Sequence, residues 1–452
     1  MAAAIARLRR YENVKRPFDG PGWEDALRVL TATVHEHPAD GLAVLELTDT
    51  LSADIIAAVI NGWSAVSLDQ ATAVAVLRRI GAMDLPLLAD SVAELLIGGF
   101  AESASATKWH LMPEARQLAT VLWDVLGPGD PPSGGTDWFA LAINRPAGHI
   151  ADFWIRAVHA DWTAAGDAWD GLPPEVRQPL ETVLSGVEQP TWLAQTVLTS
   201  RLSFFFAADR SWCERFLLPL MRWTGDQEQA VRAWTGYLAI GRITDDLFEA
   251  GLRDAYLDTV VHAGRFPANL GRVLLAHLAA IVVYSSRDPL TWVDVFTARA
   301  DDEQRVAWID EVADNLARLE PDAVEQQWQR WMRRYWERRL DGVPTALTKG
   351  EASALVSWVP LLTASLEAGV NLATRHPAGF NERRMFDGWS DERLVRQPAL
   401  FARLLAHVLK ATTRPIWDLE RVIAAIEAGV GPAIFVVIRD EALRLGYRGR
   451  PA

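Results

Sequence analysis

Along almost the whole 452-residue chain, apolar residues recur at three- and four-residue spacing, with no sustained alternation of period two. That spacing lines them up on one stripe of an α-helix, whereas a half-buried strand needs strict alternation. The β-branched runs Ile281-Val282-Val283 and Phe435-Val436-Val437-Ile438 sit inside longer helical patterns and are read as helix. Capping-box spacing recurs at Ser67 with Gln70, Ser211 with Glu214, Asp301 with Gln304 and Thr348 with Glu351. Thr244-Asp245-Asp246 places carboxylates at the positive end of another helix. Glycines such as Gly62, Gly81, Gly98, Gly166 and Gly225 supply stops. The chain therefore reads as all-α: roughly twenty short-linked helices in a HEAT-like α-solenoid or a stack of bundles. No fixed repeat period emerges.

Two stretches interrupt the pattern. Gly127 to Thr136 (GPGDPPSGGT) is too rich in Gly and Pro for helix or ladder, and Thr374 to Ser390 is rich in turns. They divide the chain into an N-terminal helical unit (1–126), a Gly/Pro linker (127–136), a central helical array (137–373), an irregular loop (374–390) and a C-terminal helical unit (391–452). A composition half hydrophobic and only 23% charged excludes intrinsic disorder. The formal net charge of −13 argues against bulk binding of nucleic acid or anionic membrane, which need a positive footprint. The longest apolar run, Val273 to Tyr284, has twelve residues against the roughly 20 that span a bilayer, so it reads as a buried helix. No export signal is visible, and the lone Cys213 excludes disulfides; the expectation is a cytoplasmic protein.

No phosphate-binding loop, zinc-protease motif or nucleophile elbow occurs, so neither cofactor, metal nor enzymatic activity is expected. His35-Glu36-His37 looks metal-like, but side chains two apart on a helix diverge by about 200°, and the triplet reads as a solvated helix end. In Glu325 to Arg339, Trp328, Trp331, Met332, Tyr335 and Trp336 fall within an arc of about 140°. Arg330, Arg333 and Arg334 lie opposite. The aromatics therefore read as core and the arginines as a basic outer ridge, which leaves nucleic-acid sensing as an alternative function. After the turn Asn144-Arg145-Pro146-Ala147-Gly148, one helix carries His149, Asp152, Arg156 and His159 on a polar stripe about 80° wide. Together with Asn144 and Arg145 this stripe could shape a binding groove; it could equally be a solvated face, or serve an unrecognised enzyme. A similar Arg-His-Pro-Ala-Gly occurs at 375–379 and reads as coincidence.

The segment Ala140 to Ile155 (ALAINRPAGHIADFWI) resembles a bacterial family of unknown function through Asn144, Pro146, Ala147, Gly148, Ala151, Phe153 and Trp154. In that family a long helical C-terminal region follows a sirtuin-like domain in large anti-phage defence proteins. The resemblance implies a helical sensor, scaffold or oligomerisation element working with an NAD-consuming effector. No sirtuin-like α/β segment is present in these 452 residues, so such an effector would be a partner protein or a fused N-terminal domain, and the abrupt start MAAAIARLRR would suit a truncated or split form. The expected function is a non-catalytic helical module for protein recognition or assembly. The 20 tryptophans read mainly as wedges between helices, with Trp169 and Trp389, both in turns, as the two to find on a surface.

Overall fold

A computed structural model describes residues 22–47, 51–98, 107–129, 137–381 and 386–447, together with Ile5, Ala6, Leu8 and Tyr11. Among the described residues every regular element is a helix, including both β-branched runs. The chain forms two compact units, Met1–Arg242 and Ile243–Ala452.

The first unit contains α1 (Trp23–Glu36), α2 (Pro38–Leu45), α3 (Ala53–Trp63), α4 (Gln70–Gly81), α5 (Ala89–Ile97), α6 (Pro113–Asp124), α7 (Trp138–Ala142), α8 (Pro146–Ala165), α9 (Pro174–Leu184), α10 (Gln189–Ser200), α11 (Leu202–Ala208), α12 (Arg210–Phe216) and α13 (Gln227–Ile240). Helices α1, α3, α5, α8, α10 and α13 pack one on the next in that order, while α2, α4 and α6 pack in a second row. Short turns between antiparallel neighbours produce this alternation. Because α5 and α8 meet across the Gly/Pro stretch 127–136, that stretch connects helices inside one unit and does not divide units. The division falls instead within the segment 137–373 that reads in sequence as a single array. At the α10–α13 crossing a Cβ on Gly236 would lie 1.9 Å from the Thr196 carbonyl oxygen, so only glycine permits the approach. Thr196 and Thr199 are buried there, and the Thr199 hydroxyl donates to Ala233 O at 3.0 Å.

The second unit contains α14 (Arg253–Val260), α15 (Ala268–Tyr284), α16 (Leu290–Arg299), α17 (Asp302–Leu316), α18 (Pro321–Gln327), α19 (Arg333–Leu340), α20 (Lys349–Val356), α21 (Leu366–Ala373), α22 (Asp391–Arg396), α23 (Pro398–Ala411), α24 (Leu419–Glu427) and α25 (Pro432–Arg444). Here α15, α17 and α20 pack in succession, as do α21, α23 and α25. The second of these series crosses the irregular stretch 374–390, which is likewise internal to a unit. A wider π-helical turn, Trp328–Met332, joins α18 to α19.

Helix starts match the sequence signals in part. Asp301 and Gln304 form a complete capping box, and Thr244 accepts from Leu247 N. Elsewhere carboxylates replace the expected serines: Asp69 caps α4 in place of Ser67, and Asp209 caps α12 in place of Ser211. An aspartate adds full charge at the positive helix end to the same hydrogen bond. Thr348 accepts from Glu351 N at 3.1 Å, but Glu351 turns its carboxylate inward and does not return to the cap. Most tryptophans are wedges. Trp63, Trp154, Trp234, Trp308, Trp328, Trp331, Trp336 and Trp358 are all fully buried, and Trp331 meets Trp358 edge-on at 5.5 Å.

Candidate functional site

The segment carrying the family resemblance is a packing corner. Arg145 stands at the N-cap position of α8 without a side-chain cap, and Pro146 takes its first turn, where a missing N–H costs nothing. A Cβ on Gly148 would fall 1.8 Å from the Ala142 carbonyl oxygen, so the end of α7 and the start of α8 meet backbone to backbone. Ala147, Ala151, Phe153 and Trp154 are buried against neighbouring helices. His149 joins them. It is buried, with Nε2 at 2.9 Å from Ile143 O, and therefore leaves the polar stripe expected for it. Asn144 and Arg145 are exposed, and the Asn144 amide donates to Ala140 O at 2.7 Å. The turn at 375–379 begins no helix, so the two Pro-Ala-Gly stretches are structurally unlike.

The rest of the stripe stays open. Arg156 pairs with Asp152 at 2.8 Å, four residues back, rather than with His159 three residues on. Its Nη1 also reaches Ile97 O at the end of α5, at 3.0 Å. Arg116 on α6 donates to Asp161 at 2.6 Å and to His110 O at 3.0 Å. His110 is half-buried, and its pKa is lowered to about 4, first by burial and then by the positive charges of Arg156, Arg116, Lys108 and His159. These five basic residues thus share one surface with two carboxylates, Asp152 and Asp161. Helical spacing showed only Arg156 and His159; the other three arrive from the segment before α6 and from α6 itself.

A ladder of partly exposed rings continues from His159. Phe204 lies 6.3 Å from His159, Trp162 lies 5.8 Å from Phe204, and Trp169 stacks on Trp162 at 6.0 Å with planes 21° apart. Trp169, expected near a surface, is half-buried in this stack with its indole donating to Ala208 O at 2.7 Å. Trp389 is buried against Phe401 instead. The most exposed tryptophan of the described chain is Trp417, at 83%. Nothing in its local pattern sets it apart, because exposure there depends on which helices stop nearby.

The basic ridge is largely neutralised. Arg330 is not on an outer face: it donates to Val282 O at 2.7 Å and to Ser285 O, holding carbonyls at the end of α15. Arg333 pairs with Glu337 at 2.9 Å, Arg334 with Asp288 at 3.6 Å and Arg338 with Asp294 at 2.5 Å. The π-turn departs from the 100° step on which the ridge rests, and Asp288 and Asp294 from α16 and its approach, with Glu337 of α19 itself, supply the counter-charges. Arg339 goes to the core, where Nε and Nη2 grip both oxygens of Glu351 at 2.5 and 2.8 Å. Arg305 adds a third bond to Glu351 at 3.1 Å. Its position four after Tyr335 and three after Trp336 was the sequence signal that Arg339 shares the aromatic face.

No protein-family model and no curated protein matches the chain. Among solved structures it is similar to an engineered protein from the Northeast Structural Genomics Consortium, at 12% identity over 98% of each chain. The TM-score of 0.27 is too low for that likeness to bear on the fold.

Proposed function

We propose that this protein is a helical scaffold that recognises a protein partner and has no catalytic chemistry of its own. Following the resemblance at 140–155, its setting is an anti-phage defence system in which a sirtuin-like enzyme consumes NAD. The observation that carries the reading is the open face of α8. There Arg156, His159 and Trp162 are joined by Arg116 from α6 and Phe204 from α11, which brings arginine and broad aromatic rings from distant sequence onto one surface. Such residues dominate the energetics of protein interfaces, and stacked helices are well suited to presenting them side by side.

Co-expression with the products of the neighbouring genes, followed by purification through a tag on this chain, tests the proposal. A co-purifying partner that protects α8 from hydrogen exchange supports it. Purification of the chain alone from every such combination, with no change in effector activity, overturns it. Arg330, turned onto the carbonyls at the end of α15, is withdrawn from the ridge on which the nucleic-acid reading rests.

A further inference from the structure

Granted the scaffold reading, on which this inference rests, the face of α8 also has a charge and a shape that point to one kind of partner. The charges of three permanent cations, Lys108, Arg116 and Arg156, act on His110, and Asp161 and Asp152 are engaged by Arg116 and Arg156. A guanidinium carries five N–H donors. Arg116 uses its Nε and Nη2 groups, and Arg156 bonds Asp152 and Ile97 O, so each retains N–H groups for an incoming acceptor. This local excess of positive charge sits in a chain whose formal net charge is −13. Beside His159, whose ring lies 6.3 Å from that of Phe204, the rings of Phe204, Trp162 and Trp169 offer flat apolar surface.

We propose that this surface docks a short acidic segment of the partner protein that carries an aromatic or long aliphatic side chain beside its carboxylates. The carboxylates face Arg116, Arg156 and His159, and the apolar side chain lies on Trp162 and Phe204. A nucleic acid would bring the same anionic charge, but at every phosphate along its length, and would meet the acidic remainder of the chain. A short acidic peptide meets only the basic patch.

The test uses the full chain and a labelled synthetic peptide, Glu-Glu-Trp-Glu-Glu-Leu-Glu, followed by fluorescence anisotropy. A lysine-for-glutamate counterpart and a single-stranded oligothymidine serve as comparisons. The acidic peptide binds, weakens about tenfold or more between low and high salt, and loses about tenfold in affinity with His159→Glu or Trp162→Ala. Nuclear magnetic resonance of the His110 ring shows its pKa rising when the peptide is bound, because the new carboxylates offset the neighbouring cations. Since His159 is exposed, His159→Glu leaves the fold intact even where Trp162→Ala unfolds. Equal binding of the basic peptide, tighter binding of the oligothymidine, self-association through this face or an unmoved His110 titration each overturns the proposal. A partner that co-purifies equally with wild type and His159→Glu refutes this inference while leaving the scaffold reading intact.

Discussion

Glu351 sits fully buried between two guanidiniums, and the balance of forces on it is unforgiving. Burial works against the charge of Arg339, but the two hydrogen bonds and the field of Glu351 outweigh it and raise its pKa. Glu351→Gln leaves the buried Arg339 without a counter-charge and Arg305 with only Asp302, at 3.6 Å, and is expected to cost about 3–5 kcal/mol in chemical denaturation. Replacing Arg305, Arg339 and Glu351 together by Met, Met and Leu recovers only part of that loss: the apolar groups need no partners, but the carbonyls of Thr297, Ala300, Val343 and Thr345 lose their arginine donors. A second buried carboxylate, Asp209, accepts from Leu172 N, Arg177, Ser211 and Trp212 N at 2.9 to 3.1 Å. Burial alone would raise its pKa, but these donors prevail and lower it. The resulting stability is present above the unfolded carboxylate's pKa and is lost as pH falls through the folded value. Asp209→Ala is expected to cost about 2–4 kcal/mol near neutral pH, read from urea unfolding. His277 and His110 add an earlier acid limb. Burial leads in lowering both to about 4, so stability falls as pH drops from the ordinary histidine range toward that value, and His277→Gln should flatten part of the slope.

At the scale of helices, the corner between α7 and α8 shows how local preference yields to packing. Glycine in a helix ordinarily destabilises by about 1 kcal/mol relative to alanine. At position 148 the sign reverses, because the added Cβ would lie 1.8 Å from a backbone oxygen that cannot swing aside. Gly148→Ala is therefore expected to lower the melting temperature, whereas Gly81→Ala, with nothing near its Cβ, should leave it unchanged or raise it. The polar stripe of α8 was legible from a 100° step, but its division was not: His149 points where α7 returns, and only Asp152, Arg156 and His159 reach the open side. The same step placed Trp328, Trp331, Met332, Tyr335 and Trp336 in the core, where they lie, but it misplaced Arg330, which turns onto carbonyls at the end of α15.

For the whole molecule, two compact units take the place of three. Residues 1–242 and 243–452 expressed separately are each expected to give a cooperative, helical unfolding transition by circular dichroism, while a cut at 136 should yield an aggregating fragment, because it separates α5 from α8. Among the described residues, 127–129, 374–381 and 386–390 form no helix, as the breaks in the pattern predict. Composition cannot mark a domain boundary, however, because it carries no record of which helices meet across a loop.

Helix formation is governed by neighbours three and four residues away, so the all-α class, most helix positions and the burial of most tryptophans could be read directly from the chain. The pattern also pointed to α8 as the helix of interest. Tertiary structure alone decided which of its polar residues stay open, which ring and cation from α6 and α11 join them, and which arginines are spent on carboxylates and carbonyls. Those outcomes depend on residues tens of positions apart meeting in space, where burial strips away water and makes each charge require a partner.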